Sequence, residues 1–368
     1  MDNTRLRWGI LGTAQVARKN WKAILDTGNA VVMAVASRDV ERSRRFIREC
    51  QSEAPFENAP VAFGGYAELL ASQDLDAVYV PLPTGLRKEW VVRAAEAGKH
   101  VLCEKPCGRG VAEVREMVEA CRRNHVQFMD GVMFMHSRRL EKIRGVLDDG
   151  ASVGEVKRIT CAFSFFAPEA FLRANIRLHS ELEPFGCLGD LGWYCIRFAL
   201  WVMNGRLPRQ VTGRILSQHS GSGSPSPVPT EFSAELFFDG GVSAGFYCSF
   251  LADHQQWVNV SGTRGYLHVP DFVLPFSGRE PAFEVQNSLF RVSGCDFSME
   301  AHPRRFTVAE QSHGHTTAQE ANMFRTFGGE VRSGQFNDAW PEIALKTQQV
   351  MNACFDSALA GSRAVSLR

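Results

Sequence analysis

Three short stretches place side chains where they could do chemistry. The first, HVLCEKPC (residues 100–107), ends an apolar run with Glu104, Lys105 and Pro106. Proline disfavours the helical conformation for the residue before it, so Lys105 stays extended at the end of the run and projects from it. An ammonium group there is suited to hydrogen-bonding a carbinol oxygen, and partial burial beside another cation lowers its pKa toward proton transfer. A snorkelling lysine paired with Glu104 accounts for the same residues. The second stretch is GCLGDLGWYCIRFALW (186–201), in which Asp190 and Tyr194 stand four apart at the start of a helical pattern and so share one face. A phenol titrates near about 10, and a neighbouring ammonium favours its anion, which suits Tyr194 to an alcohol–carbonyl proton transfer. An N-cap aspartate followed by a core tyrosine gives the same pattern, and the residues alone leave the two readings level.

The third stretch, WGILGTAQVA (8–17), sits where the first apolar run turns into the first helical one. It reads G-x-A-x-x-A, with Gly12, Ala14 and Ala17 in the places where a pyrophosphate-binding turn needs small residues. Such a turn brings phosphate against the backbone amides of Thr13, Ala14, Gln15 and Val16 at a helix N-terminus, where the dipole favours an anion. The second apolar run ends Ala36-Ser37-Arg38, without the acid that usually holds a ribose 2′-hydroxyl. A hydroxyl and a guanidinium suit a 2′-phosphate, which makes NADP(H) the expected dinucleotide. Asp39 argues mildly against this, and a merely solvated Arg38 is the alternative.

Several elements must position these residues. From residue 5 to about 134, the apolar runs LRWGIL, AVVMAVAS, PVAF, DAVYVPL, HVLCEK and VQFMDGVMF alternate with helical patterns over 15–27, 40–50, 66–72, 86–98 and 111–124. Runs that are apolar on both faces and separated by helices require a parallel sheet covered on both sides, hence a doubly wound nucleotide-binding domain. Ligands bind outside the carboxyl ends of such strands, which is where Pro81-Leu82-Pro83-Thr84 and Glu104-Lys105-Pro106 lie.

Beyond about residue 150, long strand-like segments predict a mostly antiparallel second sheet: VKRITCAFSFF, RQVTGRILSQ, TEFSAELFF, GVSAGFYCSF, WVNVSG and GYLHVP. Asp239-Gly240 marks a hairpin, and Ser220 to Pro229 reads as a flexible connection between strands of one sheet. Helices are expected over 190–203, 317–333 and 340–360. Domains are expected over 1–134 and 135–368, with the C-terminal helix able to pack back on the first.

The chain's 368 residues suit two cores, and 45% hydrophobic with 22% charged residues is an ordinary globular composition. A formal net charge of +1 provides no field for nucleic acid or an anionic membrane, so the expected partner is a small molecule. No apolar run approaches the roughly 18 residues of a membrane span, and no signal-peptide pattern opens the chain, so a cytoplasmic protein is expected. Ten cysteines without a paired framework read as reduced, buried small hydrophobes, and His313-Gly-His315 reads as a surface loop, so no metal site is expected.

Taken together, WGILGTAQVARK, ASRDVERSRRF, YVPLPTGLRKEWVVRAAEAGKHVLCEKP, FMDGVMFMHSRR, GCLGDLGWYCIR and WPEIALKTQQVM resemble the Gfo/Idh/MocA oxidoreductase family over essentially the whole chain. The likeness is greatest to its NADP-dependent branch of D-xylose dehydrogenases and dimeric dihydrodiol dehydrogenases, plant-type members included. The resemblance implies a Rossmann domain followed by an open β-sheet domain whose exposed face often builds a homodimer. It implies an Lys105–Pro106 peptide that is commonly cis, Lys105 and Glu104 beside substrate and nicotinamide, Tyr194 as acid/base tuned by Lys105, and Asp190 orienting substrate hydroxyls. It adds Arg177, Phe134, His136 and Trp193 as substrate-side candidates, and Pro81, Leu82, Pro83, Thr84 and Arg87 on the cofactor side. Arg87 stands where relatives often have histidine.

The implied activity is hydride transfer between NADP(H) and a hydroxyl or carbonyl carbon of a sugar-like or cyclic substrate. A carbonyl reductase of specialised metabolism and a non-catalytic NADP-sensing regulator are the alternatives on the same scaffold. Arg38→Ala is expected to weaken NADPH binding by roughly ten- to a hundredfold and NADH binding far less; equal losses in a titration would remove the 2′-phosphate assignment.

Overall fold

The computed structural model describes residues 5–367. Its first half is built on β1 (Leu6–Leu11), α1 (Gln15–Asp26), β2 (Ala30–Ala36), α2 (Val40–Glu53), β3 (Val61–Phe63), α3 (Tyr66–Leu70), β4 (Ala77–Val80), α4 (Thr84–Glu96), β5 (His100–Cys103), α5 (Val111–Arg123) and β6 (Phe128–Asp130). The six strands are parallel in the order β3-β2-β1-β4-β5-β6. Each of β4, β5 and β6 is almost wholly buried, which is why these runs show no alternation in the sequence. Strand order reverses between β1 and β4, so a crevice opens outside their carboxyl ends, between the turns at Gly12 and Pro81.

A 3₁₀ turn at Met133–His136 leads into α6 (Arg138–Asp148), β7 (Val156–Ser164), α7 (Glu169–Ala174), a π-helical turn at Leu188–Gly192, and α8 (Trp193–Val202). The remaining elements are β8 (Gln210–His219), β9 (Val228–Phe237), β10 (Ser243–Ser249), β11 (Gln255–Gly262), β12 (Tyr266–Val269), β13 (Ala282–Ser293), β14 (Asp296–Thr307), α9 (Gln319–Ser333), α10 (Ala339–Leu359) and β15 (Val365–Ser366). The nine strands form one sheet, β14-β13-β12-β11-β7-β10-β9-β8-β15, antiparallel except where β10 runs parallel to β7. α8 lies against β7 and β10, and α10 against β8, burying one face and leaving the other open. β9 and β10 join through Asp239–Gly241, where Gly240 and Gly241 take positive φ of 73° and 75° that an L side chain rarely adopts.

Two features depart from the sequence expectation. Ser220 to Pro229 is not a flexible connection: β9 already begins at Val228, and Gly221 N donates to Leu178 O at 2.9 Å while Ser222 N donates to Arg173 O at 2.7 Å. Gly221 fits there because a Cβ would stand 2.9 Å from that of Leu178. The β13–β14 hairpin went unpredicted, because alternating polar residues and Pro303 disguise its strands.

The two sheets are tied together by buried groups. Arg197 on α8, fully buried, donates to Asp130 of β6 at 2.5 and 3.2 Å and to Thr347 Oγ1 of α10 at 2.9 Å. A buried charge pair of this kind is held by geometry that satisfies every partner, and removing one member leaves the other uncompensated. α9 packs on β1 through Phe324 and Phe327 against Trp8, and α10 touches α5 and β6, so the C-terminal helices return to the first sheet. Nine of the ten cysteines are buried and all ten are free, with Cys295 exposed at the hairpin tip. Among the described residues no helix is long and apolar enough to cross a membrane.

Candidate active site

A cavity of about 830 Å³ opens from the crevice between the sheets. On the nucleotide side, Gly12 at φ 114° turns the chain out of β1, and a Cβ there would stand 3.1 Å from Leu82. Ala14 starts α1 with no side-chain cap and no acid in the first turn, so its leading amides keep their donors for an anion. Ala14, Gln15, Val16, Pro81, Leu82 and Pro83 line the cavity. At the end of β2, Ser37 is buried and donates to Asp39 O at 2.5 Å, while Arg38 is exposed. The Asp39 carboxylate accepts from Glu41 N at 2.9 Å, capping α2. That engagement answers the objection Asp39 raises against a 2′-phosphate. Arg42 joins Arg38 close enough for both to act on the Tyr66 phenol, a second cation that sequence reading missed although it stands four residues on.

Two sequence candidates on this side are structural ties. Thr84 is fully buried and does not line the cavity: its N and Oγ1 donate to Glu183 at 3.0 and 2.5 Å. Arg87 lines the cavity, but its guanidinium donates to Leu82 O at 2.7 Å, to Thr84 Oγ1 at 2.9 Å and to Pro106 O. It thereby clamps the Pro81–Pro83 turn to the Glu104–Pro106 turn, with Glu183 on its far side. Glu104 accepts from the Tyr79 hydroxyl at 2.6 Å, which accepts in turn from Asn20 Nδ2 at 2.6 Å. Neither Asn20 nor Tyr79 announces itself in the sequence, since each lies on the apolar pattern of its own element.

At the reacting end, the structure brings Lys105, Asp190, Tyr194 and Arg177 together. The Lys105–Pro106 peptide is cis. Lys105 Nζ donates to Asp190 Oδ1 at 2.9 Å and to Asp190 O at 2.6 Å, and lies 4.6 Å from the centre of the Tyr194 ring. Arg177 Nε meets the other carboxylate oxygen at 2.7 Å. Burial by itself raises the Asp190 pKa, but Arg177 and Lys105 override it and hold the carboxyl far below the usual range. Asp190 is therefore an anchor for two cations, each of its oxygens engaged once, and it lines the cavity where the resemblance expects it to orient substrate hydroxyls.

Tyr194 is mostly buried, flanked by Phe163 at 5.6 Å and Phe134 at 6.1 Å between ring centres. Its hydroxyl makes no hydrogen bond among the described residues. Burial, then the negative charges of Glu104 and Asp190, push the phenol well above its ordinary value, against the opposing pull of Arg177. The Lys105 ammonium is engaged by Asp190 and meets the ring face, and in the free protein the phenol holds its proton.

Three substrate-side candidates lie elsewhere. Trp193 is fully buried; one residue before Tyr194 in the helix, it turns away from the cavity to lie near Arg197. His136 stacks on Trp340 at 4.8 Å, outside the cavity lining, and burial with the nearby Arg197 lowers its pKa to about 3. Phe134 supports the Tyr194 ring from behind. The outer wall, which the sequence did not reveal, is formed by Phe163, Phe165, Trp257, Val273, Leu274 and Phe276.

Comparisons with known proteins bear on the two halves of the fold. The oxidoreductase family with an NAD-binding Rossmann fold matches residues 6–132, and the GFO/IDH/MocA C-terminal domain matches residues 140–268. The chain is 31% identical to D-xylose 1-dehydrogenase (NADP(+)) 2 of Haloferax volcanii, over 97% of this chain and 98% of that one. It is 30% identical to trans-1,2-dihydrobenzene-1,2-diol dehydrogenase of Xenopus laevis, over 77% and 82%. The crystal structure of a 3-ketoreductase from Actinomadura kijaniata with NADP and TDP-benzene superposes with a TM-score of 0.79 at 26% identity, covering 98% of each chain. Asp190→Asn is expected to lower kcat about a hundredfold while dinucleotide affinity, measured by fluorescence titration, stays close to the parent's; unchanged turnover would show that the two cations need no anchor.

Proposed function

The chain belongs to the Gfo/Idh/MocA oxidoreductase family, and on that premise we propose that it transfers hydride between NADP(H) and a hydroxyl or carbonyl carbon of a sugar-like or cyclic substrate, with Lys105 and Tyr194 as its proton-handling pair. The observation that carries the reading is the meeting of Lys105, from the end of β5, with Asp190 and Tyr194 of the second half, at the mouth of the crevice between β1 and β4. Residues 1–134 are assigned to the dinucleotide and 135–368 to substrate and dimerisation. Gly12 to Val16 face the pyrophosphate, Ser37 and Arg38 the 2′-phosphate, and Pro81–Pro83 with Glu104 the nicotinamide half. The NADP-dependent xylose dehydrogenase and the NADP-bound ketoreductase support the choice of dinucleotide.

When bound, the dinucleotide supplies or accepts the hydride at the substrate carbon. In reduction, Tyr194 donates its phenolic proton to the substrate oxygen as negative charge develops on it, and the Lys105 ammonium, fixed by Asp190, stabilises that charge. Arg177 keeps donors beyond the one engaged by Asp190, and its half-exposed side chain offers them to a neighbouring substrate oxygen. In oxidation Tyr194 must first lose its proton. A phenol held protonated is ready to donate to a carbonyl oxygen at neutral pH. Ten free cysteines, nine of them buried, support a reducing, cytoplasmic setting.

The partner expected at the open sheet face is a second copy. Beyond Gln286 the β13–β14 hairpin extends the sheet with the cross-strand pairs Phe290–Met299 and Val292–Phe297 on one face, and Arg291–Ser298 and Leu289–Glu300 on the other. Phe297 is 72% and Met299 67% exposed. A two-stranded ribbon is marginal alone in water, and this apolar face continues the open side of the sheet through Gln286 and Tyr266, which supports a homodimer.

Reduction is expected to hold constant from neutral pH to about pH 10, below the raised phenol pKa, while oxidation rises close to tenfold per pH unit as the phenolate fraction grows. Tyr194→Phe should remove that rise and lower kcat by ~10²–10³; steady-state assays showing an undiminished variant would discard the proton-donor role. In sedimentation the wild type is expected to be dimeric at micromolar concentration and a Phe297→Asp, Met299→Asp variant monomeric; a monomeric wild type would refute the dimer.

A further inference from the structure

The cavity has two chemically different ends. Its inner end gathers Lys105, Asp190, Arg177 and Glu104, whereas the outer end presents Ile176, Leu274 and Phe276, exposed at 44%, 46% and 64%, beside Phe165 and Trp257. Large apolar side chains left this open to water normally turn inward, because burial is favourable by roughly 25 cal/mol per Å². Here they are held out.

Leu274 is strapped through both backbone groups to the Gln256 side chain, its N donating at 2.6 Å and its O accepting at 2.7 Å. Phe276 N donates to Asp271 Oδ2 at 2.7 Å, and Asp271 is itself fixed by buried Arg139 at 2.5 Å. Gln319 Nε2 donates to Val273 O at 2.7 Å from behind. A segment tied at each of these points cannot collapse onto the core, so its apolar tips form a preformed wall.

Several polar groups of that end are already engaged. Gln256 serves Leu274 with both of its amide atoms, Gln255 Oε1 accepts from Trp257 Nε1 at 2.9 Å, and His268 Nδ1 pairs with Asn259 Oδ1 at 2.7 Å. A substrate oxygen set against the Ile176, Leu274 and Phe276 side chains would lose water there and find no partner on them. Fixed apolar surface of this kind fits a ring without hydroxyls.

Resting on the oxidoreductase reading of the same site, we propose that the substrate has two parts: an oxygenated carbon seated at Lys105 and Tyr194, and beyond it an apolar cyclic body, aromatic or alicyclic, lodged against Ile176, Leu274 and Phe276. Free pentoses are then poor substrates, because they fill the inner end only.

The test uses three ketones with NADPH: D-xylulose, cyclohexanone and 2-tetralone, which adds a fused benzene ring to the cyclohexanone. The expected kcat/KM for 2-tetralone exceeds that for cyclohexanone at least tenfold, and exceeds that for D-xylulose. In a Leu274→Ser, Phe276→Ser variant, and independently in Ile176→Ser on a different element, the 2-tetralone to cyclohexanone ratio falls at least threefold. A parent ratio near one, a ratio unmoved in both variants, or preference for D-xylulose overturns the proposal. If none of the three is reduced, the two cyclic ketones are compared by calorimetry on the NADP(+)-saturated protein. Tighter binding of 2-tetralone that both variants abolish sustains the apolar subsite while the hydride-transfer reading fails, and equal binding overturns the subsite.

Discussion

The carboxylate of Asp190 is the fixed point of the site. It is a buried anion held between two cations from different parts of the chain, Lys105 at the end of β5 and Arg177 in the turn after α7. A lone buried carboxylate would take up a proton; the paired cations keep it charged, and it in turn fixes their positions. Lysine has a flexible four-carbon stem, and an ammonium that must stand next to a reacting oxygen needs something to hold it still. Two contacts to one residue, Oδ1 and the main-chain O, do so. Because one partner sits on the parallel sheet and the other leads into a helix of the antiparallel half, the anchor forms only when the halves are correctly docked.

Further ties work toward the same end. Glu183 reaches from the second half to cap the first turn of α4 through Thr84, Arg87 clamps the two strand-end turns, and Arg197 joins α8 to β6 and α10 out of contact with water. Each is a charge-assisted contact whose partners are satisfied, so the interface gains a fixed geometry as well as energy. An arginine at position 87 suits this clamp, because a guanidinium has enough donors to reach three oxygens at once and an imidazole does not.

The first sheet was legible because doubly buried strands leave unbroken apolar runs and their helices leave a 3.6-residue rhythm; every one of its six strands stands where those runs stand. Lys105, Asp190 and Tyr194 were legible because local spacing and a following proline announce them. Arg177 came only from family likeness. Trp193 was misplaced because a neighbour in sequence turns about 100° around a helix, which carries it from the cavity to the core. Asn20, Tyr79, Glu183 and Leu274 were not legible, since their partners stand eighteen or more residues away. The β13–β14 hairpin escaped for another reason: one side of it is apolar without being covered within the chain, so its alternation resembles an irregular polar segment.

The state of Tyr194 then follows from where the charges have been placed. Had Lys105 been free to approach the hydroxyl, the phenolate would have been favoured and the site would be poised to take a proton from an alcohol. Burial first, and then the negative charges of Glu104 and Asp190, make the neutral phenol the resting form, with the ammonium held by Asp190 against the face of the ring. A neutral donor beside a fixed cation matches the needs of a carbonyl oxygen gaining electrons. Binding of an oxidised, cationic nicotinamide would pull the phenol the other way, so the dinucleotide's own charge is the natural counterweight that lets one site serve both directions.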